Sequence, residues 1–314
     1  MTRVSSHKRV AAIDVGTNSV KLTVADVGPD RTLELIETVR VPLQLGASVM
    51  RQGRFGGATI EMVAQSIQEL TMRARVHGAV SIAIVATSAA REASDTTELQ
   101  KAIRLVADAE LEVISGEEEA ILSSMALSHR VQATRIGLVD VGGGSTEVAV
   151  SHDGIIELAL SVPIGAVRLK EACGTPLQFD QEQLQIIDGM ILSALKGQLP
   201  DALEDPKEVF ATGGTVTALA MLDRSGMPLG AARPSDVEDH SLTVDSIASI
   251  STTIAQWAPA DRVAQSGLSA ARIDVLVPGA MILKHVLEML GARVCRVHEQ
   301  GLRSGLLLRL AGFS

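Results

Sequence analysis

The segment Arg135-Ile136-Gly137-Leu138-Val139-Asp140-Val141-Gly142-Gly143-Gly144-Ser145-Thr146-Glu147 constrains the fold more than any other part of the chain. Its apolar beginning reads as a buried strand. Asp140 stands at the strand's end, and three glycines and two hydroxyls follow it. Glycine lets a backbone turn sharply and brings bare N–H groups against a ligand. A concave set of such groups binds anions, phosphate above all. The strand resumes at Val148-Ala149-Val150, so the segment is a hairpin tip and not a strand-to-helix P-loop. It predicts phosphate cradled by backbone, with a carboxylate close enough to hold a metal ion or a water.

Val10-Ala11-Ala12-Ile13-Asp14-Val15-Gly16-Thr17-Asn18-Ser19 has the same form. Aligning Asp14 with Asp140 sets Gly16 on Gly142, Ser19 on Ser145 and Leu22 on Val148. A single Asp-x-Gly tip joins many ordinary hairpins. Two copies a domain length apart, in matching context, predict two related halves and not a short repeat.

At 314 residues the chain is long enough for two domains, each with its own core. Aromatics make up 2% and tyrosine is absent, so the core must come from Ala, Val, Leu and Ile. The net charge of −9 argues against a general nucleic-acid or membrane surface. A polyanionic substrate must then be gripped locally, because the average field repels it. Cys173 and Cys295 fit no metal-ligand spacing and suggest a reducing compartment. Lys8 and Arg9 precede an apolar run broken at Asp14, and no run approaches a transmembrane length. A cytoplasmic protein is expected.

Elsewhere, Leu33–Pro42 reads as a third strand, and Ile60, Val63, Ala64, Ile67, Leu70 and Ala74 fall at helical spacing. The strand Ser81–Ala86 runs into Thr87-Ser88-Ala89-Ala90-Arg91-Glu92, just past a strand's carboxyl end, where open α/β sheets bind ligands. Arg91 can clamp phosphate or pair on the surface with Glu92 or Asp95. In Ser115-Gly116-Glu117-Glu118-Glu119-Ala120 the serine reads as an N-cap, and the carboxylates favour the positive helix end. One of the glutamates could also act as base on a water, and periodicity does not choose which. Helices are expected at Thr97–Ala109, Gln181–Leu199, Thr243–Trp257, Gly279–Leu290 and from Gln300, with a loop at Met227–Asp239. Glu208–Thr212 leads into Gly213-Gly214-Thr215 and a helix, a geometry that offers helix N-terminal amides to a phosphate or simply packs a close turn.

Taken in order, these segments resemble the exopolyphosphatase/guanosine pentaphosphate phosphatase family, within the actin-like superfamily. The resemblance is carried by Ala12–Ser19, Ala86–Ala93, Ile114–Ala120, Val139–Glu147, Thr212–Thr215 and Gly301-Leu302-Arg303-Ser304-Gly305, and covers nearly the whole chain. It implies an α/β fold of two actin-like (ribonuclease H-like) domains with an interdomain phosphate-binding cleft. The first domain would span 1–125, with a C-terminal helix at 300–314 packed on it, and the second 126–299. The implied activity is Mg2+-dependent (or Mn2+-dependent) hydrolysis of a phosphoanhydride.

By the same resemblance Glu119 is the base, with Asp140 and Glu147 as further catalytic carboxylates. Asp14, Asp140 and Glu147 would handle the metal. Thr17, Asn18, Ser19, Arg91, Gly143, Gly144, Ser145, Gly214 and Thr215 map onto the phosphate-binding loops. Thr17 stands where serine is common, Asp95 where asparagine is, and Ser304 where glutamate is. By the same resemblance the chain is expected to lack the further C-terminal helical domains of long members, which would leave less surface for long polyphosphate.

The leading expectation is release of orthophosphate from the end of inorganic polyphosphate. The alternatives are the 5′ γ-phosphate of a guanosine penta- or tetraphosphate, and a non-catalytic polyphosphate or alarmone sensor. An actin-like kinase is disfavoured, because a kinase should exclude the water that Gly-Glu-Glu-Glu-Ala is suited to activate. No nucleic-acid or membrane partner is expected, and a homodimer is expected by family analogy alone.

Overall fold

The structure is a computed structural model and describes residues 7–107, 109–128, 131, 134–174, 179–198, 200, 205–229 and 233–313. The chain divides into two compact units, Met1–Val131 with Gln300–Ser314, and Gln132–Glu299. Among the described residues no helix is long and apolar enough to cross a membrane.

The first unit opens with an antiparallel meander, β1 (Lys8–Val15), β2 (Ser19–Val27) and β3 (Leu33–Pro42). Helices α1 (Leu45–Gln52) and α2 (Gly57–Val76) follow, then β4 (Ser81–Ala86), α3 (Ser88–Glu92), α4 (Thr96–Val106), β5 (Leu111–Val113) and α5 (Gly116–Ser128). Strands β4 and β5 add in parallel, giving the order β3-β2-β1-β4-β5.

In the second unit, β6 (Arg135–Val141), β7 (Thr146–His152) and β8 (Ile155–Val162) repeat the meander. The chain continues through α6 (Ala166–Cys173), α7 (Gln181–Leu195), β9 (Glu208–Thr212), α8 (Gly214–Ser225), β10 (Ser241–Thr243) and α9 (Val244–Gln256). It ends with α10 (Arg262–Ser266), α11 (Ala270–Ile273), α12 (Leu276–Met289) and β11 (Val294–Val297). The order β8-β7-β6-β9-β11 matches the first sheet, with β10 added at the edge. The last helix, α13 (Leu302–Ala311), returns to the first unit and packs on α5 and β1.

Strand residues alternate between faces, and β1 is apolar on both. Ala11, Ile13 and Val15 join a core with Val63, Ile67, Leu70 and Ala74 of α2. Val10 and Ala12 join another with Leu122 of α5 and Leu302, Leu306 and Leu308 of α13. Asp14 is the next residue in this second series. The carboxylate thus lies at the end of the row covered by α5 and α13. Burying each of the Val, Leu and Ile side chains among these contributes roughly 1.5–3 kcal/mol.

Several elements differ from the sequence reading. Helix α7 stops at Leu195, and Leu199 lies outside the described residues, as do residues 230–232 of the expected 227–239 loop. A 3-10 turn, Pro234–Asp236, occupies part of that loop. Helix α12 starts at Leu276, three residues before the expected Gly279, and takes Pro278 into its first turn. There a missing N–H costs nothing, because first-turn amides have no intrahelical acceptor. Helix α1 and strand β10 went unread because both are short and flanked by polar residues.

Helices α5 and α13 touch at Gly305. A Cβ there would run into the Leu122 carbonyl oxygen, a backbone atom that cannot rotate away. Gly305→Ala should therefore force the helices apart and lower stability by about 1–3 kcal/mol, the usual scale for overpacking. A fall in the urea midpoint with unchanged m-value would show it.

Candidate active site

The two hairpin tips close with the same bond: Gly16 N–H donates to Ser19 O (3.2 Å), and Gly142 N–H to Ser145 O (3.0 Å). Each tip is then gripped from behind by the helix that follows the third strand. At the second tip, Ala166 N–H donates to Gly142 O (3.0 Å), and Val167 N–H to Gly143 O (2.8 Å). Arg168 Nε donates to Gly144 O (2.8 Å). Gly165 packs so closely on the 143–144 peptides that a Cβ would collide with them.

These carbonyls consume the first amides of α6. A trans peptide holds its C=O and the next N–H antiparallel, so the N–H groups of Gly143, Gly144 and Ser145 point away from α6. A backbone anion cradle of the kind expected from the glycines would use these groups. At the first tip, Leu43 and Gln44 N–H donate to Asn18 O, at 3.2 and 3.0 Å, and Gly46 N–H to Thr17 O at 2.7 Å. The amides of Asn18 and Ser19 are turned outward by the same geometry. Gly46 is required here, because a Cβ would meet Thr17 Cγ2.

The third glycine loop follows β9. Gly213 has φ 101°, a left-handed value that favours glycine, and a Cβ on it would lie 2.8 Å from Asp140 Oδ1 and from Val141 O. Gly214 starts α8, whose first amides lack intrahelical acceptors. The guanidinium of Arg272 lies against Gly214. Thr215 is buried, with its side chain against Gly279, so it can offer its amide more readily than its hydroxyl.

The carboxylates have distinct environments. Asp14 is buried, and its Oδ2 is 3.3 Å from Lys21 Nζ, while Oδ1 has no hydrogen-bond partner. Glu147, 2% exposed, receives Ser145 Oγ (2.6 Å) and Ser161 Oγ (2.7 Å) on Oε1. Register sets Ser161, Glu147, Asp140 and Thr212 side by side across β8, β7, β6 and β9, on one face of the sheet.

Packing selects among the three glutamates of α5. Ser115 Oγ caps the helix by accepting from Glu118 N–H at 3.0 Å. Glu117 is exposed, and Glu118 pairs with Arg309 of α13 at 2.6 Å. Glu119 is 8% exposed and its Oε2 meets Arg91 NH1 at 2.9 Å. Arg91 also donates to Ile114 O at 3.1 Å. Of the surface partners considered for Arg91, Glu92 accepts from Ser88 Oγ, and Asp95 accepts the amides of Phe55 and Gly56. Asp95 thereby anchors the 53–56 link, a role the sequence did not announce.

Among the described residues no group of three His, Cys, Asp or Glu side chains is placed to hold a metal. A site for Mg2+ does not require one. That ion keeps several waters and usually takes one or two carboxylates plus substrate phosphates. The open Oδ1 of Asp14 fits such a ligand set.

One titratable cluster escaped sequence reading. His298 follows β11, and its Nδ1 lies 2.9 Å from Glu238 Oε1, while Glu299 N–H donates to Glu238 Oε2 at 2.7 Å. Partial burial, then the charges of Glu238 and Asp236, push the Glu299 carboxyl up to about 7.

Two units with one sheet order, each with an Asp-Val-Gly tip after its first strand, define the two-domain α/β architecture of the actin-like fold. The profile of the Ppx/GppA phosphatase family matches residues 23–312, and the chain belongs to that family. Exopolyphosphatase 2 of Mycobacterium tuberculosis is 30% identical over 97% of this chain and 99% of its own length. Exopolyphosphatase 1 of the same organism is 26% identical over 96% of this chain and 88% of its own. The crystal structure of the Aquifex aeolicus Ppx/GppA family member superposes with a TM-score of 0.82 at 26% identity, over 98% of both chains.

An acid whose folded pKa lies above its ordinary value of 4.5 costs stability once ionised, and the cost grows as pH rises from about 4.5 to about 7. Glu299→Gln should therefore unfold at higher temperature than the parent at pH 8, and at the same temperature at pH 4. Solvent screening limits the gain to about 1 kcal/mol or less. Melting curves across that range would check the sign.

Proposed function

We propose that the chain is an exopolyphosphatase that hydrolyses the terminal phosphoanhydride bond of inorganic polyphosphate and releases orthophosphate. The carrying observation is Glu119: of three consecutive glutamates it alone is buried, and it is held by Arg91 on the sheet side that carries Asp14. The named relatives support the substrate class.

In this reading the outward amides of Asn18 and Ser19, and of Gly143, Gly144 and Ser145, bind phosphoryl oxygens, as do the first amides of α8 at Gly214 and Thr215. Arg91, anchored on Ile114 O, fixes the Glu119 carboxylate. Glu119 takes a proton from water as the water oxygen bonds to the terminal phosphorus. The bridging P–O bond breaks, and the shortened chain leaves with the bridging oxygen and its negative charge. Asp14, with its open Oδ1, would hold Mg2+, which when bound supplies charge neutralisation to the phosphates. Glu147, bound by Ser145 and Ser161, holds the second tip in shape. Guanosine pentaphosphate presents the same terminal group, so the same residues would act on it.

Orthophosphate release from polyphosphate and from guanosine pentaphosphate, measured side by side with Mg2+ present, tests the reading. Glu119→Gln should lower turnover by about two or more orders of magnitude, the scale of a general base, while phosphate binding persists. Full turnover in the variant would overturn the assignment of the base. Silence of the parent on both substrates would overturn the hydrolase.

A further inference from the structure

We propose that Arg40 on β3 is a substrate-binding residue that holds the polyphosphate chain beyond its terminal phosphate, alongside the first hairpin tip. This rests on the exopolyphosphatase reading of the same tip and names what that reading lacks, a group that engages the remainder of a long polyanion.

The placement follows from register. Asp14 pairs with Lys21 across β1 and β2, and Lys21 with Arg40 across β2 and β3, so all three share one face of the sheet. Two like charges directly opposite each other in an antiparallel pair repel. Lys21 is compensated, because its Nζ lies 3.3 Å from Asp14 Oδ2. Arg40 is not: among the described residues no carboxylate pairs with it, and the bond it makes is from Nε to Ser19 Oγ at 3.2 Å.

That single bond fixes the guanidinium against the tip, and among the described residues neither terminal nitrogen has an acceptor. Arginine presents five N–H donors in a planar fork suited to phosphate oxygens. Partial burial holds its pKa below the ordinary value, yet the side chain still opens to solvent. A cation that has given up some of its water, has no acid beside it and faces a second cation is short of an anion. In a chain of net charge −9, a local surplus of this kind is where a polyanion is held.

A residue that merely stiffened Ser19 would affect every phosphate ligand alike. Binding is therefore measured by calorimetry in full-length Glu119→Gln protein, so that turnover does not intrude, with inorganic tripolyphosphate and orthophosphate as ligands. Adding Arg40→Gln should raise the Kd for tripolyphosphate about tenfold or more, the usual worth of a charge-assisted bond. It should move the Kd for orthophosphate less than about twofold. The salt dependence of tripolyphosphate binding should flatten by about one unit of slope, as when one phosphate contact is removed.

Arg40→Lys keeps the charge and should recover part of the loss, which keeps the test open if Arg40→Gln folds poorly. Equal losses for both ligands, no loss for either, or no measurable binding of tripolyphosphate by the parent would overturn the proposal. Whether unmodified protein releases orthophosphate is a separate assay. Length-selective binding without release would therefore sink the hydrolase and leave Arg40 standing.

Discussion

Both hairpin tips depend on where five backbone carbonyls point. In each unit the oxygens of the hairpin tip are taken from behind, by main-chain amides at the start of the next helix and, at Gly144, by Arg168. The peptide plane leaves no choice about the rest: with the oxygens held inward, the N–H groups face out. The glycines serve this arrangement by letting Gly165 and Gly46 approach the tips closely enough to make the grip. Donors fixed in this way need no rearrangement when an anion arrives, and that readiness is what phosphoryl transfer asks of a protein.

Charge is distributed with the same economy. The chain is acidic overall, yet the cations nearest the first tip are individually placed: Lys21 against Asp14, Arg91 against Glu119, Arg40 against Ser19. Two of the three have a carboxylate partner that also takes part in the proposed chemistry. Such a pair orients its acid as well as neutralising it, because a guanidinium bonded at 2.9 Å fixes where the carboxylate oxygen sits.

Much of the fold was legible from one dimension. The doubled Asp-x-Gly pattern identified both hairpins, and the alignment of Ser19 with Ser145 reappears as the same closing bond in each tip. Features confined to a strand or a helix were readable because their spacing is local. The rest depends on lateral neighbours. Nothing in Glu117-Glu118-Glu119 tells which glutamate is buried until Arg309 arrives from far along the chain to occupy Glu118. Arg40 looks like one more exposed residue of an alternating strand until the register with Lys21 is known. The short helix after β3 was missed for a related reason: Gly46 weakens it locally, and the need for that glycine shows only against Thr17.

The return of α13 has a consequence for biosynthesis. The ribosome completes β1 almost at once, but the face bearing Val10, Ala12 and Asp14 is roofed partly by Leu302, Leu306 and Leu308, which are translated last. The segment 132–299 is contiguous and can compact during translation, whereas the amino-terminal half must wait with an uncovered apolar surface. Of the two halves, the one translated first is the one that matures second, and in the interval it is the natural client for a chaperone.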